Sequence, residues 1–191
     1  MSKTPILLAA LTLCGALAGI VPEASAERVR GRVVAHGGEG GRIAATRAAG
    51  AGAQGAYARS RHVASGERGV AVRHRAIAGD GHGSVAGRSA GDVRGTQGGE
   101  ATRRGSFHRD PDGSATRTGS ATVHGRNGGS VSTAGTAARD ADGHVDASRS
   151  TQATAANGNH YAATTTRSDD VVVRTVECAN ANGDAIACRR R

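Results

Sequence analysis

The side chains of this chain that can do chemistry are its histidines, aspartates and arginines, and the first two are spaced for neither catalysis nor metal binding. Eight histidines run from His36 to His160. They share no common phase and never fall at the His-x-x-x-His spacing that puts two imidazoles on one metal. Asp140-Ala141-Asp142-Gly143, with Asp146 nearby, opens like a calcium loop but lacks the further ligand position and the distal Glu of an EF-hand, so it reads as a turn. Gly79-Asp80-Gly81-His82-Gly83 has the glycines of a phosphate loop, yet no Lys-Ser or Lys-Thr pair follows and no helix is signalled. Ser, His and Asp are common enough for chance triads, but no Gly-x-Ser-x-Gly elbow stands in a strand-to-helix context. The expectation is a protein that is not an enzyme and that holds no cofactor or metal.

Arginine is the more informative residue. The formal charge is +9, and apart from Lys3 every basic residue is Arg. A guanidinium grips phosphate or carboxylate through a planar fork, so an all-Arg surface suits a polyanion such as nucleic acid or lipopolysaccharide. The residues expected to carry such binding are Arg103, Arg104, Arg117, Arg126, Arg149 and the terminal Arg189, Arg190 and Arg191. The competing explanation is a dispersed, solvated charged face. Two cysteines near the end, Cys178 and Cys188, flank Asn182-Gly183-Asp184 and follow the most β-prone run, Val171 to Cys178. A hairpin with a three-residue loop and a left-handed Gly183 would set the two thiols opposite each other and allow a disulfide.

The elements that must position these groups are marked by glycine. Gly83, Gly98, Gly113, Gly128, Gly143 and Gly158 stand fifteen residues apart. Between them lie Ala, Thr, Ser, Arg and Val, and around them Asp110-Pro111-Asp112-Gly113, Arg126-Asn127-Gly128-Gly129 and Asn157-Gly158-Asn159 supply turn chemistry. The chain is 2% aromatic and has no Trp. Burying Ala where Leu would stand forfeits roughly 2 kcal/mol per site, so order must come from hydrogen-bond ladders or association rather than a thick core. The fold expected is all-β, a repetitive antiparallel meander of long strands. The alternatives are a β-solenoid and a largely disordered chain. Against the solenoid, its inward columns break, one at Asp146 and one at His108. A meander folded about Asp140–Gly143 would pair Ala138 with Val145, Thr136 with Ala147 and Ser132 with Thr151.

Four regions follow. Residues 1–26 have the form of a signal peptide: Lys3, an apolar run from Ile6 to Val21, Pro22, then Ala24 and Ala26 at the positions a signal peptidase reads. Residues 27–82 are an irregular Gly/Arg-rich region expected to be partly disordered, with strand-like alternations at Arg28–Val34 and Val70–Ile77. Gly37–Gly41 and Ala48–Ala53 are its expected connectors. Residues 83–170 carry the repeats, and residues 171–191 form the disulfide hairpin and basic tail. No transmembrane segment is expected after the leader, and the location expected is secreted, periplasmic or cell-envelope.

The Gly-punctuated Ser/Thr/Ala/Arg units, closed by Arg174-Thr175-Val176-Glu177-Cys178 and Ala187-Cys188, resemble a recurring type of secreted proteobacterial repeat protein. The resemblance spans about residues 83–188 and implies export, and the type brings no known activity with it. The functional expectation is a structural or interaction protein that self-associates through strand edges. Arg-mediated polyanion binding is the alternative. Ice binding is a more distant one, because Thr164-Thr165-Thr166 is the only dense threonine patch and does not repeat.

Overall fold

A computed structural model describes residues 27–36 and 41–188. The strands are β1 (Glu27–His36), β2 (Arg42–Gly52), β3 (Gly55–Gly66), β4 (Gly69–Gly79), β5 (Val85–Gly95), β6 (Glu100–Arg109), β7 (Ala115–His124), β8 (Ser130–Arg139), β9 (Val145–Thr154), β10 (His160–Ser168) and β11 (Val171–Ala179). All eleven lie in one sheet in chain order, each antiparallel to its sequence neighbours. The sheet is a single layer, open at both edges. Ala163 is the only buried apolar residue among those described.

The turns explain how a chain with so little to bury is kept in register. In the β6–β7 turn the Asp110 N–H donates to the Ser114 carbonyl (2.9 Å) and the Gly113 N–H to the Asp110 carbonyl (3.1 Å). Gly113 sits at φ 91°. This is a type I turn followed by a left-handed bulge residue, which matches the right-handed twist of the flanking strands. The β8–β9 turn repeats it with Asp140, Gly143 and His144.

That turn corrects the expected register by one residue. Ala138 faces Asp146, Thr136 faces Ser148 and Ser132 faces Gln152. Folding the chain about Asp140–Gly143 counts a four-residue loop, whereas Gly143 is an extra bulge residue and His144 closes the turn. A slip of one exchanges which side chains share a face. Asp146 therefore joins Ala138 and Thr136, while Val145 joins Arg139.

Neighbouring units pair side by side, so the solenoid is not the fold. Ala48–Gly52, expected as part of a connector, is instead the second half of β2 and pairs with residues of β1 and β3. β1 to β4 occupy the region expected to be irregular wherever it is described, and the alternations at Arg28–Val34 and Val70–Ile77 fall within β1 and β4. Composition misleads there because a ladder needs only backbone groups, not bulky side chains. Two aromatic rings compensate for glycines in the adjoining strand: Tyr57 pairs with Gly50 and Phe107 with Gly87, each ring covering the space a Cβ would fill.

The C-terminal disulfide joins Cys178 to Cys188, with Cα atoms 5.4 Å apart. The turn that returns the chain has Gly183 at φ 90°. Its ladder is a single bridge, Ala179 with Ala185, and the Ile186 N–H donates to the Cys178 carbonyl at 3.0 Å. Ile186 rather than Cys188 is thus Cys178's ladder neighbour, and the bond is closed by two further residues of chain. The disulfide hairpin caps one end of edge strand β11.

Two glycines separate turn chemistry from strand chemistry. Gly113→Ala places a Cβ in the left-handed region and is expected to destabilise the sheet by about 1–2 kcal/mol, although nothing lies within 4 Å of that position. Gly119→Ala, mid-strand with only the Arg104 carbonyl at 3.9 Å, is expected to stabilise it by about 0.5–1 kcal/mol. Urea midpoints that move the same way for both variants contradict this account.

Candidate functional site

Carrying the register across the sheet assigns every strand residue to one of two faces. The central row runs Gly31, Arg47, Ser60, Arg75, Ser89, Gly105 from β1 to β6 and continues through Gly119, Gly135, Arg149, Thr165 and Arg174. Its side chains define the back face. The rows on either side, containing Arg30 and Arg32 of β1, define the front face.

The arginines singled out from sequence do not form one site. Arg103, Arg117 and Arg149 are on the back face, Arg104 is on the front, and Arg126 sits in the β7–β8 turn, where it donates to the Gln97 amide oxygen at 2.8 Å. Arg189, Arg190 and Arg191, like Ala24 and Ala26, lie outside the described residues.

A different set converges. Across β1 to β8 a groove of about 1190 Å³ crosses the front face at right angles to the strands. Its floor is the backbone of the central row. Its two banks are the front-face residues on either side, including Arg30, Arg32, Arg59, Arg61, Arg88 and Arg104. No carboxylate lines it. Guanidinium hydrogen bonds among the described residues are made by Arg126, Arg149, Arg167 and Arg174, none of them in the groove. The carboxylate ion pairs are both with histidine, His108–Asp110 and His144–Asp140. The groove arginines therefore face solvent unneutralised.

Beyond β6 the front face changes character. Strand positions there carry no arginine from β7 to β11. Its rows hold Thr118, Ser120, Thr136, Ser148, Ser150 and Thr166 in adjoining strands. The threonine patch at β10 is thus one part of a hydroxyl field assembled by register. No fifteen-residue column shows it, because consecutive strands run in opposite directions. What sequence could have shown is the i, i+2 repetition, Arg30/Arg32, Arg59/Arg61 and Thr116/Thr118, which puts like side chains on one face of a strand.

Turns at the two ends of the strands also differ. One end carries Asp80, Asp110, Asp112, Asp140, Asp142, Asp169 and Asp170 beside Gln54, and the other carries Gln97, Asn127, Asn157 and Asn182 together with Glu67 and Asp184. Ligand atoms of Asp140, Asp142 and His144 lie within 4.8 Å of one another. These groups already serve the turn: the Asp140 carboxylate accepts from the His144 N–H at 2.9 Å and meets the His144 Nδ1 at 3.1 Å. Gly87-Arg88-Ser89-Ala90-Gly91, which has the Gly-x-Ser-x-Gly spacing, lies within β5, with no strand-to-helix elbow to present Ser89.

Both edge strands expose valines, those of β1 beside Arg28, Arg30 and Arg32. Val33 of β1 is 67% exposed and Val172 of β11 is 61% exposed. No helix among the described residues is long and apolar enough to cross a membrane. The disulfide is compatible with a location outside the cytoplasm. Comparison with family models, with curated proteins and with solved structures finds no match to this chain.

The aspartate turns have a pH signature. The His82 backbone N–H, 2.8 Å from Asp80, and the Ser114 backbone N–H, 2.9 Å from Asp112, hold these carboxyls below their ordinary value of 3.8. A depressed folded value contributes stability that is complete above the unfolded value and is lost as pH falls through the folded one. Stability is expected to drop as pH is lowered from about 5 toward about 2, and Asp112→Asn is expected to flatten part of that slope. Urea unfolding at a series of pH values checks it; an Asn variant with the parent's full slope contradicts it.

Proposed function

We propose that this protein is an exported structural protein of the envelope or extracellular space, which works by joining copies through its open strand edges. The observation that carries this reading is the single-layer sheet itself, with one buried apolar residue and an unpaired strand at each edge. Exposed edges offer rows of free N–H and C=O groups to another strand, and exposed valines make the junction favourable.

The strand count decides which junction is preferred. Eleven is odd, so β1 and β11 run in the same direction. A head-to-tail contact between copies that present the same face would pair them in parallel, whereas copies related by a two-fold axis normal to the sheet pair like edges antiparallel, the slightly more stable ladder. β11 is partly capped by the Ile186 N–H on Cys178. Among the described residues β1 has no such cap, which makes a β1–β1 dimer the expected unit.

Outward aim alternates along an edge strand. Followed across the sheet from the Cys178 carbonyl, the register turns the N–H groups of Arg28, Arg30, Arg32 and Val34 away from β2. Val34→Pro removes an outward donor without touching the β1–β2 ladder. It is expected to abolish concentration-dependent dimerisation in sedimentation while leaving the β signal in circular dichroism unchanged. Oxidised mature protein that stays monomeric at every concentration rejects this function.

A further inference from the structure

We infer that the front-face groove binds an acidic polysaccharide, laid across the strands with its carboxylates on the arginine banks. This does not rest on edge pairing, since a single copy contains the whole groove.

Charge is the first argument. Arg30 and Arg32 of β1, Arg59 and Arg61 of β3, and Arg88 and Arg104 of β5 and β6 flank the groove, no acid lines it, and none of the six makes a side-chain hydrogen bond. Guanidinium forks left free on both banks of one channel are complementary to planar carboxylates. The back face also carries arginines, Arg47 and Arg75 in the central row and Arg73 and Arg103 in the next, but they lie on the other side of the sheet from the two banks. Arg149 and Arg174 there donate to Thr133 Oγ1 and the Tyr161 hydroxyl.

Spacing is the second. Arginine pairs recur on alternate strands, β1 then β3, so the cationic stations are roughly 10 Å apart. A polysaccharide with one carboxylate on every second sugar spaces its charge on this scale. A nucleic-acid strand carries a phosphate about every 3.4 Å along its axis and would leave most of its charge unmatched. Single strands also bind by stacking bases on aromatic rings, and the groove is lined by no Phe, Tyr or Trp and by a single imidazole, His74.

The third is the continuation of the channel. Beside Arg104 in β6 stands Ser106, and past β6 the banks become Thr118, Ser120, Ala134 and Thr136. Hydroxyls that donate and accept suit the hydroxyls of neutral sugars. The channel crosses eight strands, roughly 34 Å. That length accommodates several sugars, cationic along one stretch and hydroxyl-lined along the next.

The test uses the oxidised mature chain and hyaluronan oligomers, which carry one carboxylate on every second sugar, with neutral dextran and a single-stranded oligothymidylate as comparators. Binding to hyaluronan that weakens with salt, with dextran unbound and oligothymidylate weaker, is the expected result. The triple variant Arg59→Ser, Arg61→Ser, Arg88→Ser is expected to lose roughly tenfold or more in affinity. The back-face triple Arg47→Ser, Arg75→Ser, Arg103→Ser removes the same charge and is expected to lose much less. If circular dichroism shows that either triple does not fold, Arg59→Ser against Arg75→Ser makes the same comparison. Equal losses on the two faces, tighter binding of oligothymidylate, equal binding of dextran, or no binding of hyaluronan at low salt overturns the proposal.

Discussion

Backbone hydrogen bonding across adjacent strands is the constraint on which this structure depends, because there is almost nothing else to hold it. Ordering a residue costs about 1–2 kcal/mol of backbone entropy, and a sheet with one buried alanine recovers little of that through apolar transfer. Each strand is therefore paired along nearly its full length, the inner ones on both sides. Each reversal is fixed by side chains that hydrogen-bond their own turn. Asp80 accepts from His82 and Ser84, and Asn180 accepts from Asn182 and Asp184. The turns set the register, and the register sets everything displayed on the faces.

This dependence decides what could be read from sequence. The glycine beat and its Asp and Asn companions made the meander, its strand order and the paired cysteines legible, since each is a local consequence of turn chemistry. The faces were not legible. They require the register to the residue, and the bulge at Gly143 adds the one residue that moves Asp146 beside Ala138. An arginine set drawn from charge alone accordingly scattered over two faces and a turn. The set that converges contains only Arg104 in common with it and comes mainly from β1 and β3, in the region whose composition suggested irregularity. Low hydrophobicity was a poor guide there, because backbone pairing asks so little of the side chains.

Once the register is known, the sheet separates its chemistry by direction. Across the strands, the front face passes from guanidinium to hydroxyl. Along them, every turn aspartate but Asp184 gathers at one end. At the rims, valines are exposed, beside arginines in β1. A thin sheet can keep these surfaces distinct because no core competes for its side chains, so either face is free to be specified by an external partner. Edge joining and polysaccharide binding thus draw on different atoms of the same strands: outward main-chain groups for one, front-face side chains for the other.

The alternation of turns between the two ends of the strands bears on how such a molecule lengthens. Duplicating a single fifteen-residue segment would move every later aspartate turn to the opposite end, exchange the direction of the last strand and leave its cystine clasp at the wrong extremity. Duplicating a two-strand unit preserves all three. The natural increment of this architecture is therefore the thirty-residue hairpin, and lineages that expand or contract it should do so in even steps.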